Sequence, residues 1–515
     1  MRYIEGKDRY QKILFPDIID EYIPAENPVR VIDAYVDSLK LKNINIGTEY
    51  SEVGRPPYNP KHMLKLYIYG YFNKIRSSRR LETETLRNIE LMWLMNKLSP
   101  DHKTIARFRV DNAKALKDVF RDFVQLCKKL DLYGKELVAI DGSKFMAVNS
   151  DDNNFNHNKL DDRIRRIDEK LDKYFAELNE NDKTEAETDS PKHTEEEIKT
   201  IIDELSKRKQ NYEDMKKQLD ETGETQLSTT DPDAKRMKTA DGASDVCFNV
   251  QTAVDDKHKM IVDFDVTNHC TDKNLLSPMA VSAKEVLGVE EITAVADNGY
   301  FVPTDIVECM KNGITPHVSN EHESITLCVP ATCETANEPQ EFNNAGKNVF
   351  IKERNVGVCP MGNVLYPQRY LQSQRSGVYQ NKKACKNCPQ RSVCTTNQRR
   401  MIIRMAETEF TTDYNDKNLY FRQILYAPDK KLLRKRKEIV EHPFGTIKRS
   451  MDNAYCLTKG IPKVRGEFAL TFLAYNLKRA INILGTEKLL QAIREKSSSF
   501  RQLFTGTTIC SVPTC

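Results

Sequence analysis

The segment from 246 to 318 constrains the fold most. It reads as a strand (VCFNVQTAV), a hairpin turn at Asp255-Asp256-Lys257, a strand (MIVDFDVT), a helix (272–287), a strand (EITAVADNGYF), a helix (303–312) and a short strand (ITPHVS). β-branched runs alternating with helical spans fit neither a helical bundle nor an all-β sandwich. They predict a mixed α/β layer. One more strand belongs with it: ELVAIDGSKFMAV, over 136–149, is apolar, turns at Asp141-Gly142 and then offers a second strand.

The flanking segments follow other rules. Residues 1–135 are helical, with apolar positions at helical spacing through KHMLKLYIYGYFNKI and NIELMWLMNKL, and a further helix from about Asp101 through HKTIARFRV to CKKL. Arg76, Arg79, Arg80, Lys103, Arg107 and Arg109 are interspersed there. They suit a small DNA-binding domain, and equally a bundle with a solvated basic face. In 150–225, Ile164, Ile167, Leu171, Tyr174 and Leu178 are spaced 3, 4, 3, 4, and Ile198 to Leu219 resume the pattern after a polar break. Thr194 and Glu197 form a capping-box pair. This is a coiled-coil-like helical hairpin, inserted as an arm or dimerisation device. Residues 321–405 are a second insert, rich in Cys, Asn and Gln, with little periodicity; from about 407 the chain reads as helical again, and 486–515 as a helix trailing into a tail.

Charge is distributed unevenly. Residues 150–225 hold 14 Lys+Arg against 23 Asp+Glu, whereas 430–466 hold 11 against 3. A basic block within a chain of net charge +4 points to a polyanion partner. The longest apolar stretch, 468–477, is ten residues, half a membrane span, and MRYIEGKDRY lacks the apolar region of a secretory signal. A cytoplasmic protein is expected. Thirteen cysteines, an odd number, then read as metal ligands before disulfides.

Three carboxylates stand out. Asp141 and Asp297 each sit at the end of an apolar strand, next to or near Gly, where α/β folds place ligands. Taken singly, each also reads as the opening of a turn. The third is Glu441, in RKRKEIVEHPFGTIKRS, where Arg434, Lys437, Glu441 and Lys448 fall within about one helical face. Pro443 is expected to kink or end that helix just beyond Glu441. Glu438, one turn earlier, competes for the same role, and a solvated Lys/Glu surface helix explains it well. That reading does not explain four consecutive cations, Arg434 to Lys437. Carboxylates converging from separate elements suit Mg²⁺ (or Mn²⁺), and two such ions support in-line phosphoryl displacement. Cys385-Lys-Asn-Cys388, with Cys394 and the upstream Cys359, suits structural Zn²⁺; Cys328 and Cys333 are rivals for the fourth position, and unmetallated thiols are the plain alternative. There is no GxxxxGK[ST] nucleotide loop.

VAIDGSKF, AVADNGYF and EIVEHPFGTIKR together resemble the motifs of DDE transposases of bacterial insertion sequences. RPPYNPKHMLKLYIYGYFNKIRSSRRLE, SPDHKTIARFR and STTDPDAKRMK are similar to the same group, so the likeness spans about residues 1–480. The family's Y-x-x-R-x-x-x-E signature is altered here: Arg434 stands at the Tyr position and Lys437 at the Arg position, while Glu441 and Lys448 fit. The resemblance implies an RNase H-like α/β catalytic core, assembled from 136–149, 226–320 and 406–485, between the helical-hairpin insert, the Cys-rich insert and an all-helical N-terminal domain. It implies Asp141, Asp297 and Glu441 as catalytic residues holding Mg²⁺. It also implies Arg434, Lys437, Lys448 and Arg449, with Arg107 and Arg109, on double-stranded DNA (terminal inverted repeats and target), and a homodimer that synapses two ends. A transposase-derived DNA binder without cleavage, and a nuclease without strand transfer, are the other readings.

Overall fold

The computed structural model describes residues 18–44, 46, 56–181, 194–239, 242–320, 325–331, 349–351, 356–359, 361, 363–371, 376–394, 399, 401–405, 420–451 and 454–505. The polar break between the hairpin helices, Cys333 and the tail from 506 lie outside them.

Six helices open the chain: α1 (Pro28–Ser38), α2 (Pro60–Phe72), α3 (Ser78–Arg87), α4 (Ile89–Leu94), α5 (His102–Asp111) and α6 (Ala113–Lys129). Asn27, Asn59, Asn88 and Asp101 each accept a first-turn N–H, and Pro28 and Pro60 need none. The helix expected to run from Asp101 to Leu130 is broken at Asn112. There Ala113 presses on Gly466, where an added Cβ would lie 2.7 Å from the Ala113 Cα.

β1 (Leu137–Met146) follows. Next come β2 (Asn154–Phe155) and β3 (Leu227–Ser228), which pair at the root of the hairpin of α7 (His157–Asn181) and α8 (Glu195–Thr222). The Thr194–Glu197 capping box is formed, and Ile167, Leu171 and Leu205 pack between the two helices. β4 (Lys235–Lys238), β5 (Ser244–Asp255), β6 (Ile261–Thr267), α9 (Leu276–Leu287), β7 (Ile292–Ala296), α10 (Pro303–Lys311) and β8 (Ile314–Val318) complete a mixed sheet. Its order is β5-β1-β7-β8, with β4 and β6 along the other edge of β5; β1 is antiparallel to β5 and parallel to β7, which is parallel to β8.

The second insert is a sheet, contrary to its reading as aperiodic. β9 (Ile325–Ala331), β10 (Val349–Ile351), β11 (Val356–Val358), β12 (Val364–Leu371), β13 (Ser376–Gln380), β14 (Met401–Met405) and β15 (Tyr420–Tyr426) run in the order β10-β11-β12-β13-β14-β9-β15. Two short helices, α11 (Lys382–Lys386) and α12 (Arg391–Cys394), lie between β13 and β14. Residues 420–426, read from sequence as helix, pair antiparallel with β9 along their whole length. Tyr, Phe, Ile and Leu in that run favour a pleated surface, and the partner strand overrides the helical reading.

The chain closes with α13 (Lys430–Gly445), α14 (Ile461–Leu484) and α15 (Thr486–Thr505). α14 is buried over most of its length, and one hydrophobic cluster joins α1–α6, the mixed sheet and α14. Phe468 meets Phe145 edge-on at 4.7 Å, and Phe472 meets Phe264 at 4.8 Å. Each such pair adds about 0.5–1.5 kcal/mol beyond its buried area. A buried ion pair crosses the same junction: Arg76 Nη2 lies 2.7 Å from Glu467 Oε1, with side chains 7% and 1% exposed. Glu467 also accepts the Leu457 and Thr458 N–H groups and the Thr458 hydroxyl. No helix among the described residues is long and apolar enough to cross a membrane.

Arg76→Ala is expected to destabilise the protein by about 3–5 kcal/mol, the range for stripping one partner from a buried pair. An unshifted thermal midpoint would contradict this. A second expectation concerns Asp305, whose carboxyl accepts the Leu276 and Ser277 N–H groups that open α9 and which burial pushes up to about 6. A native value above the unfolded one of about 3.9 adds stability at low pH that is lost as pH rises through about 6. The midpoint advantage of the parent chain over Asp305→Asn should therefore be larger at pH 4.5 than at pH 7.5; a flat difference would refute it.

Candidate active site

Strand register brings the two sequence-predicted aspartates together. β7 pairs with β1 only from Leu137↔Thr293 to Ala139↔Val295. Two residues beyond Ala139 is Asp141, and two beyond Val295 is Asp297. Side chains two apart share a face, and paired strands run about 4.8 Å apart. The two carboxylates thus stand level where β7 ends, on the stretch of β1 between that pairing and the parallel bridge of Met146 with Tyr455. Asp297 directly follows β7 and accepts the Gly299 N–H at 2.9 Å. Asp141 does not end its strand, and no turn forms at Asp141-Gly142. β5 is twelve residues long and pairs with β1 from Val138↔Asp255 to Met146↔Cys247, carrying the strand straight through.

The Asp141 carboxyl is pushed up to about 7, first by burial and then by the negative charges of Asp297 and Asp272, against the pull of Arg436 and the Gly142 N–H. Arg436 Nη1 is 3.6 Å from Asp141 Oδ1. Asp272, between β6 and α9, is the acid that the sequence reading missed. Its Oδ1 accepts Asn249 Nδ2 at 2.7 Å, Gln251 Nε2 at 2.8 Å and Lys144 Nζ at 3.1 Å. The Tyr300 hydroxyl donates to Gln251 Oε1, and burial with Asp272, Asp141 and Asp297 nearby raises that phenol well above its usual range. A signal was present: Asn249 and Gln251 lie two apart among the apolar residues Phe248 and Val250, so both face one way and require a buried polar partner.

α13 docks against the same region. Ile439, Val440, Pro443 and Phe444 are buried, whereas Arg434, Lys437, Glu438 and Glu441 are exposed. Glu441 follows Arg436 by five residues, about 7.5 Å along the axis and roughly 140° round it. Pro443 does not stop the helix. α13 runs on to Gly445, held by the burial of Pro443 and Phe444, and a π-helical turn follows over Thr446–Ser450. That turn sets Lys448 Nζ 3.1 Å from the Lys144 carbonyl and 4.7 Å from the Phe145 ring centroid, while Arg449 is exposed.

On α5, Arg107 is exposed and pairs with Asp111 at 3.3 Å. Arg109, expected on a DNA-facing surface, is instead buried: its Nη1 donates to the Tyr71 hydroxyl at 3.1 Å and its guanidinium lies over the Tyr67 ring. The Tyr71 hydroxyl takes one of its N–H groups and the Tyr67 ring faces its charge inside the core, so it presents no charge to a ligand.

Cys359 closes the β11–β12 hairpin, Cys385 and Cys388 lie in and after α11, and Cys394 ends α12; all four are partly exposed and in no disulfide among the described residues. Asn381 fastens this piece to β12, capping α11 through the Ala384 N–H and donating to the Val364 carbonyl at 2.7 Å. Cys328 lies in β9. No three His, Cys, Asp or Glu side chains among the described residues stand preset to hold a metal ion.

Comparison with known proteins gives two family matches. Residues 17–111 match a transposase domain family (DUF772), and residues 358–481 match the Transposase DDE domain family. The first takes in α1–α5; the second takes in the Cys359 hairpin, α13 with Glu441, and most of α14. Asp141 and Asp297 lie outside both. No curated protein matches. Among solved structures, the cryo-EM structure of the piggyBac transposase synaptic complex with hairpin DNA aligns over 94% of this chain and 83% of that one, at 9% identity. Its TM-score of 0.29 is too low to define a shared fold.

Proposed function

We propose that this chain, a DDE transposase of insertion-sequence type by its two family matches, hydrolyses phosphodiester bonds at the ends of a DNA element and joins the freed 3′-hydroxyls to target DNA. The observation that carries the chemistry is the level placement of Asp141 and Asp297 at the edge of β1 where β7 ends. The mixed sheet, antiparallel on one side of β1 and parallel on the other, supports an RNase H-like core.

The donor set fits a hard divalent cation. Its oxygens are carboxylate oxygens, negative charge is in excess, and the half-buried Asp141 carboxyl has one guanidinium beside it. Asp141, Asp297 and Glu441 would hold Mg²⁺ or Mn²⁺. Such ions activate the attacking water or 3′-hydroxyl and stabilise the leaving oxygen. Arg436 balances the carboxylates until substrate arrives. Lys448, anchored at the Lys144 carbonyl, lies three residues along β1 from Asp141, within reach of a phosphate entering from that edge. Arg434, Lys437 and Arg449, exposed on or just after α13, and Arg107 on α5 add contacts to the DNA backbone. Arg109 has no part in this surface. Two element ends require two active sites, and the α7–α8 hairpin supplies a coiled-coil-like arm for a homodimer.

Asp297→Ala is expected to abolish Mg²⁺-dependent cleavage of element-end DNA, a loss of at least about a thousandfold, with unchanged DNA binding. Wild-type cleavage by that variant would remove Asp297 from the reaction, and cleaved but never joined products would identify a nuclease. The cysteines Cys359, Cys385, Cys388 and Cys394 are proposed to hold structural Zn²⁺, their helices fastened to β12 by Asn381. Elemental analysis of protein purified without chelator should find one zinc per chain; its absence would end that assignment.

A further inference from the structure

We propose that Arg76, at the junction of α2 and α3, is a positioning residue: it holds Lys448 at the edge of β1 by locking the stretch of chain that follows Lys448. The inference rests on the reading of Lys448 as a phosphate contact. Arg76 is one of the cations interspersed through the N-terminal helices, yet it is buried. Its Nη2 donates to the Tyr455 carbonyl and to Glu467 Oε1, the latter at 2.7 Å, and its guanidinium lies 4.9 Å from the Tyr455 ring centroid. Glu467 in turn accepts the N–H groups of Leu457 at 2.9 Å and of Thr458 at 3.1 Å. Residues 456–458 lie in no helix or strand, so their backbone groups have no ladder of their own to bond to. A buried ion pair by itself adds little over an apolar pair of the same volume. What this pair does, and an apolar pair could not, is hold one carbonyl and two N–H groups of a single irregular stretch.

That stretch is stitched to the same end of β1 that Lys448 reaches. The Cys456 N–H donates to the Met146 carbonyl at 2.8 Å, and Met146 and Tyr455 form a parallel bridge. Lys448 meets the two residues before Met146, with its Nζ on the Lys144 carbonyl and over the Phe145 ring. The π-helical turn that carries Lys448 is closed by the Met451 N–H on the Thr446 carbonyl at 2.9 Å. Such turns are rare and keep their shape where the surroundings impose it. α13 seats this one from the N-terminal side through Pro443 and Phe444. The stretch locked by Arg76 seats it from the other side, and Tyr455 is four positions beyond Met451. A shift of that stretch is therefore passed to the turn, and Arg76 ties the N-terminal helices to the placement of Lys448.

Cleavage of element-end DNA by the full-length chain tests this, with kcat and KM measured at a temperature where every variant is folded. Arg76→Lys keeps the charge and gives up the planar fork that reaches Tyr455 and Glu467 together. It should lower kcat at least about tenfold, the scale on which small misplacements act, and leave KM nearly unchanged. Lys448→Met should also lower kcat, and adding Arg76→Lys to it should lower kcat no further, because the side chain being positioned is gone. If the two losses multiply, Arg76 acts independently of Lys448; the proposal is overturned and the reading of Lys448 stands. If Lys448→Met cleaves as the parent does, the phosphate reading of Lys448 falls and the inference falls with it. Parent-like cleavage by Arg76→Lys, or a loss confined to KM, would refute the positioning role. Should Arg76→Lys fail to fold, Glu467→Gln, which keeps the shape and removes the charge that Arg76 pairs with, takes its place in the cycle under the same expectations.

Discussion

The short parallel pairing of β7 with β1 sets the rest of the site. Three residue pairs fix the register, and β7 stops while β1 continues beside the longer β5. At the point where β7 ends, β1 therefore carries one acid, with a second acid level with it. A slip of one residue would turn Asp141 and Asp297 to opposite faces. The apolar residues before them, Val138 to Ile140 and Ala294 to Ala296, are buried, so a slip would also expose the core. The same hydrophobic pattern that stabilises the sheet positions the chemistry.

Around that edge the protein gathers negative charge inside and positive charge at the rim. Burial and the charges of Asp297 and Asp272 raise the Asp141 carboxyl, and the low-dielectric surroundings weaken the solvent screening between charges. Arg436 enters from α13 and Lys448 from the π-helical turn, two cations delivered by one segment. Its apolar face, Ile439, Val440, Pro443 and Phe444, seats that segment on the sheet. α14 seats the N-terminal helices on the same core through Phe468, Phe472 and the Arg76–Glu467 pair. Helices and sheet thus meet through one continuous apolar interior.

Much of this was legible in the sequence, for physical reasons that vary by element. The strands at 137–146, 244–267, 292–296 and 314–318 carry β-branched runs bounded by turns, so their alternation with helices was plain. Thr194 and Glu197 announced a helix start because capping is local chemistry. The turn at Asp141-Gly142 was misread because glycine is as useful where another side chain must approach as where a chain must bend; only Gln251 and Asp272, 109 and 130 residues away, decide which. Residues 420–426 lacked any local sign of β9. Arg109 read as a surface cation because charge is visible in sequence and the two tyrosines that enclose it are not. Pro443 read as a kink or a stop, and the helix runs on through it because the packing of Phe444 is tertiary. Asp272 was missed because it sits in a polar loop, although Asn249 and Gln251 pointed to a buried partner.

The central claim is that Asp141 and Asp297 share one divalent ion. Anomalous scattering from crystals grown with Mn²⁺ tests it most directly. The account predicts a peak bonded to an oxygen of each carboxylate at about 2.0–2.3 Å. Mn²⁺ bound elsewhere, or ligated by one of the two aspartates without the other, would contradict it.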